Sequence, residues 1–323
     1  MKNLTWASVA LMTGLIACSA PTPTPQPAPA APTSPAGEAA APEPTSAAAP
    51  VSAPQSASSS LPAADRAAAG RARLSKTPGG RVVLRAIDAH GGLEAWYAGK
   101  ALRFRYEYRP VSGQGAKNSL QTIDLLGSRA YHEMEEPAKG VFAWDGKRAW
   151  SKFESPDAKV AVHFWALTPY YFVGLPFPFA DEGVHLDVLL DEPHFGLPPC
   201  DVVRVTFAPG TGDAADDYYI AHFAKRDGRL IAVRYVVSWK PFVAGRGIKH
   251  TPEKLLVFSE FDGAGALTLA RTHTFHKIAN GERGEVATVA TVSQIAHPAL
   301  FDEAWMTPPE GAVFDTSLQD AGK

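Results

Sequence analysis

The stretch ALRFRYEYR, residues 101–109, alternates between apolar and charged side chains. Its leucine, phenylalanine and tyrosines, at 102, 104, 106 and 108, fall on one face of an extended chain, and its arginines and Glu107 fall on the other. A strand with one apolar and one charged face is typical of an antiparallel sheet that buries one face and exposes the other to water. We therefore predict that the main sheet includes this strand.

The same two-residue period recurs along most of the remaining chain. Four joints between apolar runs carry the Asp-Gly or Asn-Gly pairs that favour hairpin turns, at 145–146, 227–228, 262–263 and 280–281. A sheet of many strands coils instead of staying flat. We predict an α+β, mostly β domain on a single curved antiparallel sheet, an incomplete β-barrel. The further predicted strands are 118–126, 129–134, 139–144, 147–153, 184–190, 200–208, 217–224, 230–238, 254–261, 265–276 and 285–296.

Helical segments precede the first strand. Arg66–Lys76 is rich in alanine and arginine and predicts a short, frayed helix. Residues 82–89 place apolar side chains at helical spacing, and Gly91 and Gly92 would end that helix. A further apolar turn at 93–97 is expected to dock on the same core.

A second helix is predicted in the middle of the chain, over Ala158–Thr168, ending at Pro169. The apolar segment YYFVGLPFPFAD, residues 170–181, follows it. The prolines of this region argue against a membrane span, although the run is long and nearly uncharged. We expect the helix and the loop to cover the concave side of the sheet.

The N-terminus has the pattern of a secretory signal peptide. Lys2 precedes an uncharged, mostly apolar run from Leu4 to Ala17, which is short for a membrane span of about 20 residues. The run ends in Leu-Ile-Ala-Cys at 15–18, which resembles the bacterial lipobox. The resemblance implies that residues 1–17 are removed and that Cys18 is lipidated, which would anchor the protein in a membrane. A signal peptide without lipidation and a retained anchor helix are the alternatives.

Residues 18–65 are almost entirely Ala, Pro, Ser, Thr and Gln, without aromatic or basic residues. Such a composition predicts a disordered linker, because it offers too little apolar area to offset the entropy of ordering. Ser19 follows the lipobox cysteine where inner-membrane lipoproteins of the enterobacterial pattern carry aspartate. That resemblance implies an outer-membrane protein of the bacterial envelope, facing the periplasm. Residues 66–323 are predicted to form one domain.

Composition and motifs limit the function classes. The net charge of −2 and the lack of a basic run argue against nucleic acid as a partner. Nucleophile-elbow, phosphate-loop and zinc-protease motifs do not occur, and His273 and His276 would point to opposite faces of one strand. Cys200, the one cysteine besides Cys18, is predicted to be a small core residue. We expect no cofactor, no metal and no enzyme activity; a hydrolase or metal enzyme assembled across strands is the alternative.

A dense set of aromatic residues lies on the predicted cover of the sheet. Aromatic rings supply large apolar areas with polar tips, which suits the wall of a lipid cavity and equally the core of the domain. Both interpretations remain open from the sequence. The candidate ligand-binding residues are Phe164, Trp165, Tyr170, Tyr171, Phe172, Phe177 and Phe179.

Four stretches resemble the LolA/LolB-like lipoprotein-carrier group and related envelope lipoproteins of unknown function. The resemblance implies an incomplete barrel whose helix-covered concave side holds acyl chains. It predicts a membrane-anchored protein that binds a hydrophobic ligand such as an acyl chain. An adaptor with a filled core, acting through contacts with envelope proteins, is the alternative. The stretches are AIDAHGGLEAW (86–96), WDGKRAW (144–150), YYFVGLPFPFADEGV (170–184) and FDEAWMTPPEGAV (301–313).

Lipidation at Cys18 is directly testable in cells given an alkyne analogue of palmitate. The wild-type chain and the control variant Cys200→Ser should incorporate the label, whereas Cys18→Ser should not. Equal labelling of Cys18→Ser would contradict the prediction of a lipid anchor at that residue.

Overall fold

The computed structural model describes residues 61–212, 214, 216–244 and 246–320. Cys18, the predicted signal peptide and all but the end of the predicted linker lie outside these residues, so the division at 17 and 65 stays a prediction. Within the described part of the chain, no helix has both the length and the apolarity that a membrane crossing requires.

The strands of the described residues form a single antiparallel sheet of thirteen. It is open, with β13 at one edge and β6 at the other, and β1 pairs with β2 on one side and β12 on the other. This confirms the predicted incomplete barrel. The strands are β1 Ala101–Pro110, β2 Lys117–Asp124, β3 Arg129–Glu136, β4 Gly140–Trp144, β5 Ala149–Phe153, β6 Val184–Leu189, β7 Cys200–Phe207, β8 Tyr219–Ala224, β9 Leu230–Tyr235, β10 Lys254–Ala264, β11 Leu267–Ala279, β12 Glu282–Ala296 and β13 Val313–Phe314.

The alternation in β1 places its apolar face inward, as predicted. Leu102 and Phe104 are fully buried, and Tyr106 is 2% exposed. Three of the four predicted hairpin turns have left-handed backbone at their glycines, but Gly263 lies inside β10. The turn from β10 to β11 instead uses Gly265, whose φ is +62°. A Cβ at Gly265 would lie 2.4 Å from the carbonyl oxygen of His297, so the close approach of two backbones requires glycine there.

Six short helices accompany the sheet in the described residues. The predicted helix over 82–89 is confirmed as part of α2, whose N-cap Thr77 accepts a hydrogen bond from the backbone N–H of Gly80 at 3.0 Å. A turn of 3₁₀ helix, Phe177–Ala180, follows α4, and another, Glu303–Met306, precedes β13. The helices are α1 Ala63–Leu74, α2 Pro78–Ala89, α3 Leu93–Ala98, α4 Val162–Gly174, α5 Lys240–Val243 and α6 Ser317–Asp320.

The prediction that the first helix is frayed was wrong. Helix α1 begins at Ala63 and docks through Ala67 and Leu74, which are 0% and 2% exposed. Arg66 is 9% exposed, and its guanidinium donates a hydrogen bond to the carbonyl oxygen of Leu126 at 2.7 Å. Burial of one face and this long-range bond therefore hold the helix on the domain.

The predicted end of the central helix at Pro169 was also wrong, because α4 continues through it to Gly174. A proline removes one backbone donor from the helix. Two nearby carbonyls have side-chain donors instead: that of Phe164 accepts from the Thr168 hydroxyl at 2.5 Å, and that of Ala166 accepts from a ring nitrogen of His132 at 2.8 Å. These bonds and the burial of α4 keep the helix continuous across the proline.

Trp96 joins the elements on the concave side. Its ring stacks on that of Phe177, with centroids 4.3 Å apart and 3° between planes, and its carbonyl oxygen lies 3.1 Å from Nε2 of His297. Gly174 at the end of α4 permits contact with the same ring, since a Cβ there would lie 3.1 Å from it. The stack therefore links α3, the end of α4 and the segment after β12.

Replacing Phe177 by alanine should lower the free energy of unfolding by about 3–5 kcal/mol, because it leaves a cavity beside Trp96. Phe314→Ala is the control: that ring is 41% exposed in the edge strand, and its loss should cost less than about 1 kcal/mol. Chemical denaturation of both variants measures the difference. Equal losses of unfolding free energy in the two variants would contradict a large contribution of the Trp96 stack to stability.

Candidate functional site

A cavity of about 530 Å³ lies between α4 and the concave face of the sheet. Side chains from α4, from six strands, and from α5 and the segments next to it form its wall. Aromatic rings make up much of this wall. They are Tyr106, Tyr108, Phe164, Trp165, Tyr171, Phe172, Tyr219, Tyr235, Trp239, Phe242 and Phe275.

Four of the seven predicted aromatic residues line this cavity: Phe164, Trp165, Tyr171 and Phe172. The N-cap Ala161 and most of the α4 residues at the cavity, at 164, 165, 168, 169 and 172, recur at helical spacing. Helix α4 therefore presents one of its faces to the cavity. The sequence holds this signal, but it emerges only when the helix is continued through the proline.

The other three predicted residues lie elsewhere in the core. Phe177 and Phe179 are 0% and 1% exposed in the 3₁₀ turn after α4. Tyr170 stacks beside Trp96 at 6.3 Å between ring centroids. The structure therefore separates the set into rings at the cavity and rings that fix the cover to the domain.

The strand residues of the wall support one another. The rings of Tyr219 on β8 and Tyr235 on β9 stack at 5.9 Å, and Phe172 of α4 packs against Tyr235 at 5.1 Å. Phe275 on β11 contacts both Phe172 and Tyr108, at 5.7 and 5.8 Å. This bracing between α4 and strands far apart in sequence holds the wall in place.

Burial keeps the hydroxyl groups of the wall neutral. Desolvation raises the pKa of Tyr106, Tyr171 and Tyr219 well above the ordinary value of 10.0. Asp217 also lines the cavity, and burial raises the pKa of its carboxyl group. The carboxylate accepts a hydrogen bond from the backbone N–H of Ser238 at 2.5 Å, which opposes that rise.

The buried histidines are held neutral. His132 on β3 stacks on Phe142 at 4.1 Å, and its Nε2 donates to Ala166 of α4. Desolvation lowers the pKa of His132 and of His273 to about 3. His276 lies outside the core, 3.1 Å from the carbonyl oxygen of Gly284, so the two strand histidines point to opposite faces as predicted.

The structure locates the potential metal ligands and the thiol of Cys200. A search of them finds no group of three His, Cys, Asp or Glu side chains that could hold a metal ion. Cys200 is half-buried at the start of β7, not in the core as predicted, and its thiol contacts the carbonyl oxygen of Pro198 at 3.1 Å. Desolvation raises the pKa of this thiol to about 11, so it stays protonated near neutral pH.

No protein-family model and no curated protein matches the chain. Solved structures do resemble it. A LolA-superfamily protein from Nitrosomonas europaea is 10% identical with a TM-score of 0.46, and the match covers 71% of this chain and 97% of that one. A DUF1329-family protein from Desulfovibrio piger is 12% identical with a TM-score of 0.45, covering 72% and 98%.

A third structure, an outer-membrane lipoprotein-sorting protein domain from Vibrio parahaemolyticus, is 9% identical with a TM-score of 0.43, covering 70% of this chain and 95% of its own. These neighbours are of the kinds that the sequence resemblance named, at 9–12% identity.

Acid should destabilise the domain through its buried histidines. Below about pH 6.5 the unfolded chain binds a proton at His132 that the folded chain does not bind until about pH 3. The free energy of unfolding should therefore fall as the pH drops from 6.5, by at most about 1.4 kcal/mol per pH unit for each such histidine. Denaturant titrations between pH 7.5 and 5 measure the slope.

The variant His132→Gln should have a shallower slope than the wild type, because one titrating group is removed. His185→Gln serves as the control, since His185 is exposed on the edge strand β6 and should not affect the slope. An unchanged slope in His132→Gln would contradict the assignment of the acid sensitivity to that ring.

Proposed function

We propose that this protein binds an acyl chain or another hydrophobic molecule in the cavity beneath α4. The observation that carries the proposal is the cavity itself, a space of about 530 Å³ with a wall rich in aromatic rings. Its volume falls within the range of about 300–1,000 Å³ typical of small-molecule sites. The driving force would be the removal of apolar surface from water, about 25 cal/mol per Å².

The wall also supports a ligand role for four of the predicted residues, Phe164, Trp165, Tyr171 and Phe172. Bracing by the strand aromatics limits how far these rings can collapse into the space. A preformed apolar pocket binds without a large ordering cost. An adaptor with a fully packed core, the alternative from the sequence, would leave no such space.

The same proposal places the domain in the bacterial envelope. Lipid on Cys18 would anchor the chain in the outer membrane, and residues 18–65 would tether the domain from 66 to 323 in the periplasm. The domain would act without a cofactor and as a binding protein, not as an enzyme, with envelope proteins as possible donors or acceptors of its ligand.

A bulkier side chain in the cavity wall should block binding. Val237 lines the cavity, so Val237→Trp should weaken binding of a fluorescent fatty acid about tenfold or more by filling the space. Val111→Trp is the matched control, because Val111 is 70% exposed at the end of β1 and the same substitution there leaves the cavity open.

The titration uses the full chain carrying Cys18→Ser, which lacks the predicted lipidation site, after removal of co-purified lipid on a hydrophobic resin. Saturable emission in the parent and in Val111→Trp, with loss in a folded Val237→Trp, supports the proposal. Absence of a saturable signal in the parent at micromolar dye would refute it, and so would equal binding by both tryptophan variants.

A further inference from the structure

The charged side chains of the cavity are unequally distributed in sign. Within the described residues that line it, three are lysines, Lys117, Lys159 and Lys254, and one is an acid, Asp217. The carboxylate of Asp217 is bonded to the backbone N–H of Ser238. No ion pair joins it, or any other described carboxylate, to the three lysines. The cavity therefore carries an excess of positive charge.

Two of the lysines hold corresponding positions at the ends of strands. Lys117 is the first residue of β2 and pairs in register with Tyr108, and Lys254 is the first residue of β10 and pairs with Tyr235. Directly paired residues of antiparallel strands place their side chains on the same face. Each lysine thus stands beside a tyrosine of the cavity wall.

Lys117 is held over the aromatic wall. Its ammonium lies 4.7 Å from the ring centroid of Trp165 and 5.7 Å from that of Tyr108, and it donates a hydrogen bond to the carbonyl oxygen of Gly115 at 3.0 Å. These contacts are cation–π and dipolar, and they leave the positive charge without a counter-ion. Lys254 is exposed at the start of β10.

Two other lysines of the described residues have acidic partners. Lys277, the residue paired with Lys254 on β11, lies 2.6 Å from a carboxylate oxygen of Glu285, and Lys225 lies 3.8 Å from Asp201. Lys117 and Lys254 have no such partner among the described carboxylates.

We propose that the ligand of this cavity is an anionic amphiphile, whose apolar part lies among the aromatic rings and whose carboxylate or phosphate group is bound by Lys117 and Lys254. This inference rests on the proposed function and narrows it to one class of ligand. Desolvation without a carboxylate partner lowers the pKa of the half-buried Lys117, a penalty that a bound anion relieves. The exposed Lys159 adds to the attraction from the cavity wall.

Competition against the uncharged dye N-phenyl-1-naphthylamine tests the inference with matched head groups. The competitors are dodecanoate, dodecyl phosphate and methyl dodecanoate, and the protein is the full chain carrying Cys18→Ser. The two anions should bind about tenfold more tightly than the ester, because a partly buried ion pair adds to the apolar term. The anion that binds more tightly shows whether the cavity prefers a carboxylate or a phosphate head group.

In the double variant Lys117→Gln/Lys254→Gln, the affinity for the anions should fall about tenfold while that for the ester stays unchanged. The variant Lys117→Arg/Lys254→Arg keeps the charge and should keep the preference for the anions over the ester. It therefore controls for a folding defect in the glutamine variant. Lys147→Gln removes the same charge from the exposed turn between β4 and β5 and should behave as the parent.

The outcomes separate the two proposals. Equal affinity for the ester and the anions overturns the anionic ligand and leaves a hydrophobic ligand standing. A double variant that loses ester and anions equally also overturns it, since the lysines would then act through packing. Failure of the dye and of all three competitors to bind the parent overturns the proposed function itself, and the narrower inference with it.

Discussion

The stack on Trp96 is the contact on which the covered half-barrel depends. An open sheet with an apolar concave face must cover that face with another element. Trp96 supplies the attachment, because its ring meets Phe177 after α4 and its carbonyl group meets His297 after β12. Gly99 makes room for this contact, since a Cβ there would lie 2.0 Å from Nε2 of His297. With this end of the cover fixed, α4 must run across the sheet to β3, β4 and β5.

The cavity follows from the character of α4. The helix is apolar around its whole circumference, which is typical of a helix buried on more than one side. Ala166 is fully buried next to His132 on the sheet, whereas Trp165, Thr168 and Phe172 line the cavity. A second apolar face turned towards a space, and not towards another element, is the structural reason to expect an apolar occupant.

Sequence periodicity predicted the sheet well, because alternation is a local property that each strand displays by itself. It failed where the deciding contact is distant in sequence. The turn at Gly265 depends on the approach of His297, and the continuity of α4 through Pro169 is supported by His132. The cavity depends on the same kind of information, since Tyr108, Tyr235 and Phe275 meet only once β1, β9 and β11 are in register.

The lysines were missed for a related reason. A lysine at the first residue of a strand ordinarily belongs to a solvated strand end, and only the folded sheet shows that Lys117 and Lys254 line the same cavity.

On the outer face of the sheet, arginine and glutamate side chains form ion pairs across the strands. Arg103 and Arg105 on β1 reach across β2 to Glu133 and Glu135 on β3, at 3.0 and 2.9 Å. Such exposed pairs contribute little to stability, with a median of about 0–1 kcal/mol. Inside the cavity, Lys117 and Lys254 stand beside aromatic rings and form no ion pair with its one described acid, Asp217.

Lys117 is half-buried over the ring of Trp165, where desolvation of an unpaired ammonium is unfavourable. An anion bound in the cavity would offset that cost. The charge arrangement therefore points to the ligand more specifically than the shape of the half-barrel does.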